Sequence, residues 1–353
     1  MQHPANLGER APIGKLDAIR KRVELARMLM RYGRTLARVR LRRAISGPKR
    51  QGWTAQFEAL VEVLRRDADS LREATFPAIR AHMDGRPLGS RVLSRVAREK
   101  VQVGGLRAEW FCPRDARRGD DTRGTILYLH GGGYCVGSIR THRDLLARLC
   151  LAAHAEVLAL EYRLAPEHPY PAAVDDAVSA YRWLRAKEGG AREARKIVIG
   201  GDSAGGGLTM ATLLALRDAG DELPRAGILL SPWVDLRGRE PSIRENADYD
   251  WIDEVFLHRC AQDYRGTLAI EDPRLAPLQA DLKGLPPLLF QLGGAEILLD
   301  EGRRLAERAE AAGVEVTLDV TPDMIHVFQL FAEVVPQGAA AIARIGRYVT
   351  TRT

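Results

Sequence analysis

The sequence predicts an α/β fold, with a mainly parallel central sheet, helices on both faces and a helical cap. Three observations carry that expectation. From residue 125 onward, short β-branched and leucine-rich runs alternate with helix-compatible stretches, the period of parallel strands joined by crossover helices. One strand, Lys196-Ile197-Val198-Ile199, enters the glycine-flanked serine of Gly201-Asp202-Ser203-Ala204-Gly205 and continues as helix-compatible Leu208 to Leu216. Another, Thr125 to Leu129, ends in His130-Gly131-Gly132-Gly133.

At 353 residues and 46% hydrophobic, the chain supports one large core with a smaller appendage better than two equal domains. No apolar run approaches the roughly 18 residues of a spanning helix. The first thirty residues also lack the apolar block of a secretion signal. Cys112, Cys135, Cys150 and Cys260 are irregularly spaced without a Cys-x-x-Cys pair. They read as buried thiols in a cytoplasmic protein, with neither metal nor organic cofactor expected. The net charge of +7 is uneven. Residues 1–50 hold 14 of the 53 Lys and Arg but 3 of the 46 Asp and Glu, a local +11 that leaves −4 for the remainder. Basicity confined to an arm argues against a nucleic-acid partner for the whole fold.

Taken in order, Leu16, Ile19, Val23, Ala26 and Met30 recur at intervals of three and four between arginines, predicting an amphipathic helix over about residues 15–44. Its simpler use is a cap helix that packs its apolar stripe on the domain. The other is a weak contact with an anionic membrane. Trp53, Phe57, Leu60, Val61, Leu64 and Leu71 mark a second helix to about Ala74, and turn chemistry from Met83 to Gly89 links this appendage to the sheet. Val101 to Phe111 alternate around Gly104-Gly105 as a hairpin. Ala155 to Leu160 form a strand, and three prolines stiffen Tyr162 to Pro171, so that His168 reads as structural. A helix from Ala172 to Lys187, the serine turn and its helix, and a strand at Ala226 to Leu230 follow. Alternation then stops between Trp233 and about Pro273, where charged and aromatic residues suit a short helical insertion over the site. Strands at Leu288 to Leu292 and Val314 to Val320 flank a helix from Asp300 to Ala312, and a last helix runs from about Phe331 to Tyr348.

Gly-x-Ser-x-Gly between a strand and a helix is the pattern of a nucleophile elbow. A serine hydroxyl needs a base, and the base an orienting group. Of the eight histidines, His326 alone follows the last predicted strand, where a serine–acid–histidine order places the base. The acid belongs in Gly293 to Glu301. Glu296 lies nearer the strand end, while Asp300 suits capping the helix that follows. Three consecutive glycines after His130 let backbone amides converge on a developing oxyanion.

These motifs resemble those of the bacterial hormone-sensitive-lipase-like (family IV) carboxylesterases, which have the α/β-hydrolase fold. The matching segments are His130 to Gly133, Tyr162 to Pro171, Gly201 to Gly206, Ser231-Pro232-Trp233, Glu296 to Glu301 and His326, within a resemblance from about Val101 to the C-terminus. It implies a Ser203–Glu296–His326 triad, with oxyanion donors Gly132, Gly133 and Ala204. It also implies a cap from residues 1–95 and 234–272 over a catalytic domain of residues 96–353. Where the family has Asp-Pro-Leu, this chain has Glu296-Ile297-Leu298, which keeps Asp300 as the alternative acid. The expected activity is hydrolysis of short- to medium-chain esters through an acyl-enzyme. Small-molecule esters are the expected substrates, and a homodimer is compatible with the resemblance. The alternatives are a ligand-binding receptor on the same fold or an esterase recruited to anionic membranes by residues 15–44. Plant hormone receptors that resemble this family have lost the catalytic histidine, whereas His326 is present here.

Overall fold

A computed structural model describes residues 13–85, 90–116, 119, 123–186 and 192–353, with only the backbone for 13–22, 24 and 25. Its centre is an eight-stranded sheet: β1 Val96–Val103, β2 Leu106–Pro113, β3 Thr125–Leu129, β4 Glu156–Leu160, β5 Ile197–Asp202, β6 Ala226–Leu230, β7 Leu288–Gly293 and β8 Val316–Thr321. The spatial order is β1-β2-β4-β3-β5-β6-β7-β8. The β1–β2 and β2–β4 pairs are antiparallel; the pairs from β4 to β8 are parallel.

Period-two alternation assigns the two faces. Leu127, Leu129, Ile197, Ile199 and Phe290 belong to a core beneath α5 (Ala172–Arg185), α6 (Ala204–Asp218) and α9 (Leu299–Ala311). Ile126, Tyr128, Val198, Ile228 and Leu289 belong to the opposite core, under α4 (Ile139–Ala153) and α10 (Pro336–Thr350). The parallel register sets Leu129 beside Gly201 and Asp202 beside Leu230, so the strands deliver their C-terminal ends to one edge.

Three N-terminal helices, α1 Ile13–Ser46, α2 Ala55–Ser70 and α3 Phe76–Gly85, form the appendage. A third core joins it to the loop after β8: Trp53, Phe57 and Val61 pack with Met324, Ile325 and Phe328. Truncating a buried tryptophan such as Trp53 typically costs about 3–5 kcal/mol, so this contact firmly seats the appendage.

The expected packing of an apolar stripe of α1 holds only in part. Thr35 and Val39 are buried, but Val23, Met28, Leu29, Met30, Leu41 and Ile45 are exposed. The cause is electrostatic. Glu58 of α2 is fully buried, and a buried carboxylate needs cationic partners. Arg42 and Arg43 provide them, the latter at 2.7 Å, so α1 turns part of its basic face inward. The side chains of Leu16 and Ile19 lie outside the described residues.

Elsewhere the structure revises boundaries. The segment expected as a linking turn from Met83 is helical to Gly85, because α3 begins after Thr75, whose carbonyl accepts from Ile79 N at 2.9 Å. Residues 86–89 lie outside the described set, as does the expected end of α5 at Lys187. The final helix begins at Pro336, whose fixed φ suits a first turn. Phe328–Phe331 form a separate 3-10 turn. Between β6 and β7 the insertion contributes α7 (Ser242–Glu245) and α8 (Glu254–Tyr264). No described helix is long and apolar enough to cross a membrane.

Candidate active site

Ser203 stands between β5 and α6 with φ +53° and ψ −123°, a backbone conformation costly for a non-glycine residue. The turn is closed from several sides. Ser203 N donates to Leu230 O at 2.8 Å, and Ser203 O accepts from Gly207 N at 3.1 Å and Trp233 N at 2.9 Å. A Cβ on Gly205 would strike the carbonyl oxygens of Leu129 and His130, which explains the glycine two residues after the serine. The Ser203 side chain makes no cap hydrogen bond to α6.

The glycine turn after β3 faces this elbow. Gly132 and Gly133 have φ of +123° and +60°, and among the described residues their amides donate to no protein acceptor. A Cβ on Gly133 would lie 2.6 Å from Cys260 Sγ and 3.7 Å from the Phe256 ring, so α8 of the insertion roofs the turn closely. His130 itself is buried, stacks on Tyr162 at 4.4 Å and is held by burial down to a pKa of about 4. It serves as scaffolding, and its carbonyl accepts the Tyr162 hydroxyl at 2.7 Å. His168 is exposed on the proline loop.

His326 lies on the loop after β8 and Glu296 on the turn after β7, both buried. His326 Nδ1 is 3.5 Å from Glu296 Oε2, an ion-pair separation rather than a formed hydrogen bond. Burial disfavours the imidazolium, but Glu296, Asp250 and Asp202 outweigh it and raise the His326 pKa above its ordinary value. Burial likewise raises Glu296, against the pull of His326. No hydrogen bond joins Ser203 Oγ to His326. Their loops meet through the neighbouring Ser231, whose Oγ accepts from Val327 N at 3.0 Å.

Asp300 does not cap α9 as expected. Its Oδ2 accepts from Ser242 N at 2.9 Å and its own amide donates to Ser242 Oγ at 3.1 Å, binding α9 to α7 instead. The reason is the insertion, which brings the open amides of α7 within reach of this carboxylate.

Several residues support the site through partners remote in sequence. Asp202 accepts from Tyr128 OH at 2.8 Å and Gly131 N at 3.1 Å, and faces His142 Nε2 at 3.2 Å. One buried carboxylate thus ties the elbow to the glycine turn. Burial opposes ionisation of Asp202, but His142 outweighs it and holds the carboxyl below its ordinary range. Asp250 of the insertion is equally buried and bonds to the loops of both Glu296 and His326. Among the described residues, no three His, Cys, Asp or Glu side chains group as metal ligands.

The arrangement presents a hydroxyl on a strained turn, a basic imidazole beside a carboxylate, and open backbone donors, the set that acyl transfer requires. A family model described as the alpha/beta hydrolase fold matches residues 126–330. An acetyl-hydrolase of Streptomyces hygroscopicus is 45% identical over 255 residues, covering 72% of this chain and 82% of that protein. Carboxylesterase NlhH of Mycobacterium tuberculosis is 38% identical over 232 residues, covering 64% and 72%. Among solved structures, an esterase from the bacterial hormone-sensitive lipase family matches with a TM-score of 0.76 at 44% identity, over 83% of this chain and 97% of that one. EstE5 soaked with p-nitrophenyl butyrate matches with a TM-score of 0.77 at 38% identity over the same shares. The chain belongs to the α/β-hydrolase family, within its bacterial hormone-sensitive-lipase-like esterases.

Proposed function

We propose that the chain hydrolyses short- to medium-chain carboxylic esters through an acyl-enzyme on Ser203, with His326 as general base and Glu296 as its orienting acid. The observation that carries this reading is the strained Ser203 elbow at the same sheet edge as the buried His326–Glu296 pair. Ser203 Oγ attacks the ester carbonyl as His326 takes its proton. The tetrahedral intermediate collapses with that proton passing to the departing alkoxide. Water, deprotonated by His326, then releases the acid and restores the serine. Amides of Gly132, Gly133 and Ala204 receive the oxyanion, each such donor being worth about 10²–10³ in rate. In this reading residues 1–95 and 234–272 form the cap over a catalytic domain of residues 96–353. The roof that Cys260 and Phe256 place over Gly133 favours short acyl groups.

Mixing the protein with p-nitrophenyl butyrate is expected to release a burst of one nitrophenolate per chain before steady turnover, with one butyryl group found by intact-mass analysis. Stoichiometric ester binding without turnover would instead favour a receptor.

A second reading, membrane-surface recruitment, draws support from α1. Exposed Met28, Leu29 and Met30 adjoin Arg27, Arg31 and Arg34, beside a groove of about 1610 Å³ also lined by Phe57, Leu60 and Phe331. Each basic residue near an anionic surface contributes about 1 kcal/mol. Co-sedimentation with phosphatidylserine-containing vesicles is expected, and to be lost when Arg27, Arg31 and Arg34 are all changed to Glu. Arg42 and Arg43 are left alone because they neutralise Glu58. Sedimentation unchanged by the triple substitution rejects the reading.

A further inference from the structure

The hydrogen bonds around α7 and α8 give the insertion a task besides roofing the site. We propose that Asp250 is a positioning residue of the acyl-transfer machinery, clamping the acid-bearing turn and the base-bearing loop together through its two carboxylate oxygens. The inference rests on the triad reading above and adds a residue to it.

Asp250 lies between α7 and α8, with 1% of its surface exposed. Its Oδ2 accepts from Ile297 N at 2.9 Å, the residue after Glu296. Its Oδ1 accepts from His326 N at 3.0 Å and from Trp251 N at 2.9 Å. Its two oxygens thus bond one loop each, the Glu296 turn through Ile297 and the His326 loop through His326 itself. A carboxylate suits this task because both of its oxygens accept; burial raises its pKa above the ordinary value, against the pull of His326 and three amide donors.

Neighbouring contacts point the same way. Trp251 Nε1 donates to His326 O at 2.8 Å, Asn246 Nδ2 to Glu296 O at 2.8 Å, and Ser242 Oγ to Ile297 O at 2.8 Å. From the N-terminal appendage, Arg65 Nη1 donates to Asp250 O at 2.7 Å. The insertion therefore grips both the acid-bearing turn and the base-bearing loop, and the appendage holds Asp250. The 3.5 Å gap between His326 and Glu296 is spanned from behind by a rigid bracket, and small displacements of such pairs are costly in rate.

Asp250 also acts through charge. The ionisable groups facing His326 are Glu296 from the β7–α9 turn, Asp202 from the end of β5 and Asp250 from the insertion, and all three favour the imidazolium. Catalysis needs neutral imidazole, so activity falls as pH drops through the raised His326 pKa. Removing one of the three negative charges moves that acid limb to lower pH.

The test compares Asp250→Asn and Asp250→Glu with the full-length protein, using p-nitrophenyl butyrate. Asparagine keeps the shape but turns an NH2 toward backbone donors and removes the charge. Its kcat is expected to fall about 10²-fold with KM nearly unchanged, and its acid limb to shift downward. Glutamate restores the charge but not the reach, so its acid limb returns to the wild-type position while kcat stays low. Ser242→Ala, which removes a neutral bond to the same turn, is expected to leave the limb in place. Wild-type kcat in Asp250→Asn overturns the proposal, as does a loss of kcat with an unmoved acid limb. Failure of both Asp250 variants to fold assigns the residue to stability alone and overturns it too. If Ser203→Ala turns over normally, the triad reading itself has failed; if only the Asp250 variants behave as wild type, the triad stands without the clamp.

Discussion

Turnover of p-nitrophenyl butyrate is expected to fall about 10⁶-fold in Ser203→Ala, with the fold intact. The size of the loss follows from the role. Without Oγ there is no nucleophile, and the site retains only what backbone donors and substrate binding supply, typically about 10³–10⁴ over water. Folding is expected to be spared because the Ser203 side chain makes no cap hydrogen bond, while backbone bonds to Leu230, Gly207 and Trp233 hold the elbow. Alanine tolerates the positive φ no better than serine does, so the strain is unchanged. Steady-state kinetics with thermal unfolding of the same preparation check both halves. Residual activity near the wild-type value would remove Ser203 from the mechanism.

Glu296→Gln is expected to cost about 10⁴ in kcat, comparable to the amide replacement of a triad acid elsewhere. Its carboxylate lies 3.5 Å from Nδ1 in a site closed to solvent, and in the proposed mechanism it stabilises the imidazolium formed when Ser203 gives up its proton. An amide offers a neutral dipole instead, and with the wrong orientation presents a donor to a donor. The His326 pKa falls with the lost charge, so the acid limb of the pH–rate profile moves downward as kcat collapses. Asp300→Asn is the companion measurement. Its Oδ1 can still accept from Ser242 N, and a change within about threefold, that of one exchanged hydrogen bond, is expected. The opposite pattern, with Asp300→Asn inactive and Glu296→Gln active, would transfer the acid's role to Asp300.

What could be read from sequence was what short segments encode by themselves. The elbow at Gly201 to Gly205 and the turn at Gly131 to Gly133 are local backbone geometries, and glycine is demanded where a Cβ would meet a carbonyl or a thiol. Strands β3 to β7 were legible because their apolar runs match two buried faces, while the edge strand β8 is only partly buried. The exchange of β3 and β4 in the spatial order was not, since it depends on which strand a crossover helix returns to. Asp202 was visible as a motif letter, but its tie to His142, sixty positions away, was hidden. Asp250, between two aromatic residues, carries no local signal because its partners at 297 and 326 are remote in sequence. Glu58 likewise draws Arg42 and Arg43 of α1 inward, against an evident amphipathic pattern. Long-range electrostatics decided these points, and single-segment periodicity does not contain them.

The four thiols are buried and none is in a disulfide, and they fall into two places. Cys112 and Cys150 sit beside the sheet, with Cys150 Sγ 3.4 Å from Phe111 O. Cys135 follows the glycine turn, with its Sγ 3.8 Å from the carbonyl of Cys260 on α8. A thiol reagent reaches each pair only when its surroundings open, so uptake rates time two different events. Faster modification of Cys135 and Cys260 than of Cys112 and Cys150 would clock the lifting of the roof separately from the melting of the sheet, with reporters the chain already carries.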